Sequence, residues 1–136
     1  MTISLDPDRD QIASRIIRVL LADEHEVVSM SLEIAFAVME DMKLVGRARN
    51  GAEAVDMVAA LGPDVVLMDL VMPVMDGFEA TAVIRGRHPH VKVIVLSADF
   101  FQADQAAAMQ AGAHVYLNKN EHAIDAIIGA IRLIVQ

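Results

Sequence analysis

The chain has 136 residues, the size of one ordinary domain, and 55% of them are apolar, enough to bury roughly two-thirds of the surface an unfolded chain exposes. Asp and Glu number 19 against 11 Lys and Arg, so there is no basic footprint for nucleic acid, and the absence of cysteine excludes disulfides and thiolate metal sites. Charges break every apolar run before the roughly eighteen residues of a membrane span, and the start of the chain is acidic with no signal-peptide pattern, so a soluble, cytoplasmic protein is expected.

Residues 1–14 read as an acidic leader and 15–136 as the folded domain. Five short runs rich in Val, Ile and Leu follow, at 16–22, 44–48, 65–68, 91–96 and 115–117. Their near-continuous apolarity predicts strands covered on both faces, as in parallel sheets. Segments of helical periodicity alternate with them at about 25–41, 51–61, 76–86, 100–111 and 121–135. The punctuation agrees: Asn50-Gly51 follows the second strand, Gly62-Pro63 stops the second helix, Pro89 the third, and Gly112 stands where a helix needs a left-handed residue after its end. The pattern is (βα)5, for which a flavodoxin-like doubly wound α/β sheet of order 2-1-3-4-5 is a common solution.

In such a fold the functional crevice lies at the carboxyl ends of the strands. Strand one ends in Asp23-Glu24, strand three in Asp69 and strand four in Ser97, and Lys119 follows strand five. Each has an ordinary alternative as a cap, a loop carboxylate or a surface cation. Three carboxylates together repel strongly, however, and carboxylates with waters and a phosphate oxygen are the ligands that Mg²⁺ prefers. The crevice therefore reads as a candidate metal and phosphoryl site.

The runs Leu20-Leu21-Ala22-Asp23-Glu24-His25, Asp64 through Met68 to Asp69-Leu70-Val71-Met72-Pro73-Val74-Met75-Asp76-Gly77, Val95-Leu96-Ser97-Ala98 and Gly112 to Lys119 together resemble the receiver domain of bacterial two-component response regulators. Arg47 to Ala54 and the His after the acidic pair resemble receivers that precede a helix-turn-helix output domain. The resemblance implies a phosphoacceptor switch that is not an enzyme beyond its own metal-dependent phosphorylation and dephosphorylation. It makes Asp69 the phosphoacceptor, Asp23 and Glu24 the metal-holding acids with the Val71 carbonyl, Ser97 the switch hydroxyl, Tyr116 the rotating aromatic and Lys119 the phosphate-binding cation. Mg²⁺ or Mn²⁺ is the implied cofactor, and a sensor histidine kinase or histidine phosphotransfer protein the implied phosphodonor. On that assignment three carboxylates and Lys119 sum to −2, which a divalent ion brings to zero. Glu24 departs from the family's usual Asp and Asn120 from its usual Pro, while Ser97 keeps the hydroxyl of Thr.

Other features have plainer readings. His25 is expected as a first-turn helix residue at the rim of the site, His88-Pro89-His90 as a solvated loop, and the nine Met residues as core filling. Phe100-Phe101 opens the fourth helix on a face suited to partners. A phosphohydrolase with an Asp nucleophile is disfavoured because Asp69-Leu70-Val71 lacks a second acid, and a flavodoxin because Ala22-Asp23-Glu24-His25-Glu26 would repel a flavin phosphate. A single-domain regulator without DNA-binding output and a phosphorylation-independent scaffold remain alternatives. On the first helix Val28, Leu32, Ala35, Phe36 and Met39 form the expected core stripe, with Val27, Met30, Ile34 and Val38 as a second apolar row beside it and Glu26, Ser29, Glu33 and Glu40 as the polar strip. On the fifth, Ala123, Ala130 and Ile134 lie beside the stripe of Ile124, Ile128, Ile131 and Val135. A patch spanning both helices predicts a partner there, a homodimer or the helical bundle of a phosphodonor.

Overall fold

The computed structural model describes residues 15–98, 102–119 and 124–135, apart from the side chains of Val27 and Val28. The leader, Phe100-Phe101, Asn120 and Ala123 lie outside the described residues. The elements run β1 (Ile17–Ala22), α1 (Glu26–Ala37), β2 (Met42–Ala48), α2 (Gly51–Leu61), β3 (Val65–Asp69), α3 (Gly77–Arg87), β4 (Lys92–Ser97), α4 (Gln102–Ala111), β5 (Val115–Asn118) and α5 (Ile124–Val135). All strand pairs are parallel, in the order β2-β1-β3-β4-β5. The expected doubly wound sheet is what the chain forms.

Alternate strand residues feed two cores, because successive side chains leave a strand on opposite faces. Leu20, Val66, Met68, Val93 and Val95 pack with Val58 of α2, Ile84 of α3 and Ala108 of α4. Val19, Leu21, Leu67 and Leu96 pack on the other face with Leu32 and Phe36 of α1 and Ile127, Ile128 and Ile131 of α5. Every residue of β3 is buried, which accounts for its unbroken apolar run.

Local signals set the helix ends. Asn50 caps α2 by accepting from the Glu53 N–H at 2.8 Å, and Gly62 closes it in the left-handed conformation at φ 58°. Asp76 caps α3 in the same way through Glu79. Helix α1 ends at Ala37, four residues before the periodicity suggested, because the Asp41 carbonyl accepts from the Ile17 N–H and draws the chain into β2.

Helix α1 corrects the polar strip at one position. Ser29 is fully buried, with its hydroxyl donating to the His25 carbonyl at 3.0 Å, a local bond that lets a small polar side chain face the core. Met30, Ile34 and Val38 are exposed as the second apolar row, at 58%, 68% and 77%. On α5, Ala130 and Ile134 are partly buried against the core instead, and the outward apolar residue is Leu133. The patch is therefore dominated by α1.

Candidate functional site

Asp23, Asp69, Ser97 and Lys119 come together because parallel strands end on one edge of the sheet. Asp23 continues the β1–β2 ladder by donating its N–H to the Ala48 carbonyl at 2.9 Å, which fixes the backbone that carries its carboxylate. Arg47 clamps the same loop, its guanidinium donating to the carbonyls of Asp23 and Glu24 at 3.3 Å each. Asp69 is the last residue of β3, opposite Leu96, and Ser97 is the next residue along β4. Lys119 is held by its own N–H, which donates to the Ser97 carbonyl at 2.8 Å.

The chain folds tightly around Asp69. The Gly77 N–H donates to the Leu70 carbonyl at 2.9 Å, and a Cβ at Gly77 would lie 2.1 Å from the Asp69 carbonyl oxygen, so only glycine can start α3 here. Between them Val74 adopts φ 69°, a left-handed conformation that β-branched residues rarely take. Strain of this kind gathers at functional loops. The Val71 side chain points to solvent, while its backbone N–H hydrogen-bonds the Asp69 carboxylate.

Both acids are buried, Asp23 at 1% and Asp69 at 4% exposure, and Lys119 joins them. Its Nζ lies 2.8 Å from Asp23 Oδ2 and 3.2 Å from Asp69 Oδ2. Burial works against the Asp23 charge, but hydrogen bonds from Lys119 and the His25 N–H outweigh it and hold the carboxyl below its ordinary range. For Asp69 burial prevails, helped by the Asp23 charge, and its carboxyl is raised despite Lys119. Asp69 Oδ2 is also a buried oxygen that accepts no hydrogen bond, with the Lys119 ammonium 3.2 Å and the His25 Nδ1 3.5 Å away. A buried carboxyl oxygen with an unused lone pair beside a cation suits both a metal ligand and a nucleophile.

Two sequence expectations change here. Glu24 is exposed and is not one of the groups that meet within ligand distance, which are Asp23, His25 and Asp69. The grouped charges are then two carboxylates and Lys119, a sum of −1 in place of −2. His25 is at the rim, at the N-cap position one residue before the first turn where it was expected, with 58% of its side chain exposed, yet its Nδ1 lies 3.0 Å from Asp23 Oδ1 and 3.5 Å from Asp69 Oδ2. The signal for that contact was its place two residues after Asp23, where the Asp23 carboxylate turns back to accept the His25 N–H at 2.8 Å.

Tyr116, the aromatic of the expected switch, lies on the same half of the sheet. It is buried at 8% exposure, beside Val95 in the core under α4. Helix α4 contributes Ala108 alone to the buried set, and this small side chain leaves room for the ring. A separate groove of about 570 Å³ runs between α1 and the edge strand β2, lined by Phe36, Met39, Met42 and Leu44, and contains none of Asp23, Asp69 and Lys119.

A five-stranded parallel sheet with buried acids and a lysine at its carboxyl edge defines a class, and the family model for the response regulator receiver domain matches residues 19–132. The chain belongs to that family, whose members are two-component signalling proteins. Among relatives, the transcriptional regulatory protein LiaR of Bacillus subtilis is 44% identical over 117 residues, covering 85% of this chain and 54% of LiaR. The response regulator protein VraR of Staphylococcus aureus is 36% identical over 116 residues, covering 85% and 55%. The chain thus spans about half the length of the curated relatives it matches. In three dimensions it is similar to the response regulator domain of Thermotoga maritima CheB, with TM-score 0.81, 31% identity and coverage of 89% and 97%. A LuxR-family two-component response regulator from Aurantimonas is similar at TM-score 0.82 and 27% identity, with coverage of 88% and 85%. No helix among the described residues is long and apolar enough to cross a membrane.

Proposed function

We propose that this chain is a cytoplasmic phosphoacceptor switch in which Asp69 receives a phosphoryl group from a phosphohistidine of a sensor kinase or histidine phosphotransfer protein. The observation that carries this reading is the buried Asp69 Oδ2, which accepts no hydrogen bond, with Lys119 Nζ 3.2 Å away. The Asp69 carboxylate attacks phosphorus in line, an O–P bond forms as the donor's N–P bond breaks, and the leaving imidazole takes up a proton. Lys119 moves its charge from the two carboxylates to the phosphoryl oxygens. Ser97 donates a hydroxyl hydrogen bond to the phosphoryl group, and Tyr116, packed beside Val95, reports the shift of the β4 end.

The donor set fits Mg²⁺ or Mn²⁺: Asp23 and Asp69 present buried carboxylates, the Val71 carbonyl follows on the loop, and Glu24, being exposed, acts through water. A divalent ion held there would supply positive charge to the transferring oxygens. Phosphorylated Asp69 at about −2, Asp23 at −1, Lys119 at +1 and the ion at +2 sum to about zero, so phosphorylation needs the cation. Residues 15–136 make up the receiver, and by analogy with LiaR, a transcriptional regulatory protein, the switch serves transcription regulation. Exposed Met30, Ile34 and Val38 on α1, with Leu133 on α5, support a homodimer or phosphodonor contact through these two helices.

Incubation with acetyl phosphate and Mg²⁺ followed by intact-mass measurement tests the proposal. The protein gains one phosphoryl mass and Asp69→Asn gains none. Equal labelling of the Asn variant would overturn the assignment.

A further inference from the structure

We infer that His25 is a metal ligand, so that the site takes a first-row divalent transition ion through one nitrogen and two carboxylate oxygens and favours it over Mg²⁺. The inference rests on the reading of Asp69 as the metal-assisted phosphoacceptor. Asp23, His25 and Asp69 each offer one ligand atom, and these atoms lie within 4.8 Å of one another. Adjacent ligands of an octahedral ion with bonds of about 2.1 Å stand about 3.0 Å apart. The Nδ1 of His25 lies 3.0 Å from Asp23 Oδ1 and 3.5 Å from Asp69 Oδ2, close to two such edges.

A cluster of acids would not by itself make a site, but Asp69 Oδ2 supplies an independent sign. It is a buried carboxylate oxygen with no hydrogen bond, on a residue 4% exposed, and it lies between the Lys119 ammonium at 3.2 Å and this imidazole at 3.5 Å. The division of Asp23 points the same way. Its Oδ2 is held by Lys119 at 2.8 Å, which leaves Oδ1 on the His25 side. His25 also does no capping work that would require it elsewhere: it occupies the N-cap of α1 without a side-chain hydrogen bond to the helix. With Glu24 exposed, the third protein side chain at the ion becomes a nitrogen ligand. Mg²⁺ prefers oxygen and keeps its waters, whereas first-row transition ions accept imidazole, Mn²⁺ the most weakly of them, so Mn²⁺ is the stringent case.

The test uses Mn²⁺ as probe on the whole chain. In pulsed electron paramagnetic resonance, Mn²⁺ bound to the wild type should show coupling to a directly bonded nitrogen that changes when histidine is ¹⁵N-labelled. Mg²⁺ competition should show a preference for Mn²⁺ that falls about tenfold in His25→Ser. Serine is a favoured N-cap residue, so this variant retains the helix start, and the wild-type isotope signal does not depend on any variant folding. Absence of nitrogen coupling in a wild type that acetyl phosphate still labels would overturn the inference alone, as would an unchanged Mn²⁺ preference in His25→Ser. Absence of labelling in the wild type would overturn the underlying reading instead.

Discussion

Replacing Lys119 by Met isolates what this one cation does in the fold. Its Nζ lies 2.8 Å from Asp23 and 3.2 Å from Asp69, with side-chain exposures of 8%, 1% and 5% for the three groups. At an effective dielectric of about 20 those separations correspond to about 6 and 5 kcal/mol of gross attraction. Much of this is offset by the cost of dehydrating the ammonium, and removing one partner of a buried ion pair typically costs about 3–5 kcal/mol net. That is a large share of a domain's total stability of about 5–15 kcal/mol. The variant is left with two buried carboxylates and a site charge of −2 in place of −1, so it binds a divalent cation more tightly than the wild type. Binding at a hundredfold over Kd returns about 2.7 kcal/mol. Urea unfolding followed by circular dichroism should therefore show a deficit of about 3–5 kcal/mol without metal that narrows by more than about 1 kcal/mol at saturating Mg²⁺. A variant as stable as the wild type in chelator, or a deficit that metal leaves unchanged, would refute the account of Lys119 as the counter-ion of this pair.

Two further outcomes follow from other parts of the fold. His114 is held below its ordinary value of 6.5 by burial and by the charges of Arg85 and Lys92, and its Nδ1 accepts the Val93 N–H at 3.1 Å, a bond only the neutral ring can make. Because the folded value is the lower one, the contribution is intact above pH 6.5 and lost as pH falls below it, so His114→Gln should flatten the acid side of a Tm-against-pH curve. Ile34→Glu, at a position 68% exposed, should change stability by less than about 0.5 kcal/mol yet weaken self-association in sedimentation velocity or transfer from the cognate kinase; if neither measurement moves, the α1 patch is not an interface.

The fold was legible wherever two independent signals met. Helix α2 was bounded at both ends because Asn50 before it and Gly62 after it each carry a physical requirement, a cap and a left-handed residue. Strand β2 was entered two residues late because Met42 and Lys43 fit a helix end as well as a strand start. The convergence of Asp23, Asp69 and Lys119 followed from topology alone, since parallel strands finish on one edge. What escaped was set by rotamer and local hydrogen bonding: that Asp23 turns back to the His25 N–H, that Glu24 is exposed, and that Ser29 satisfies itself on the His25 carbonyl. Val74 concealed its left-handed backbone because no residue type argues against one more strongly.

The placement of Lys119 argues for where a charge change at Asp69 would be felt. Its side chain bridges the acids, while its backbone is bonded to Ser97, so a move of the ammonium toward a phosphoryl group pulls on the junction of β4 and β5. That junction is lightly built: β5 has four residues, two of them only partly buried, and α4 above it buries Ala108 alone. By contrast β3 is buried throughout, and α2 and α3 bury four residues each. Regions with few buried apolar contacts shift at the smallest cost in free energy. A perturbation that begins between β1 and β3 would therefore be expressed at the far edge, around Tyr116 and α4, because the strands nearer to it are packed too tightly to yield.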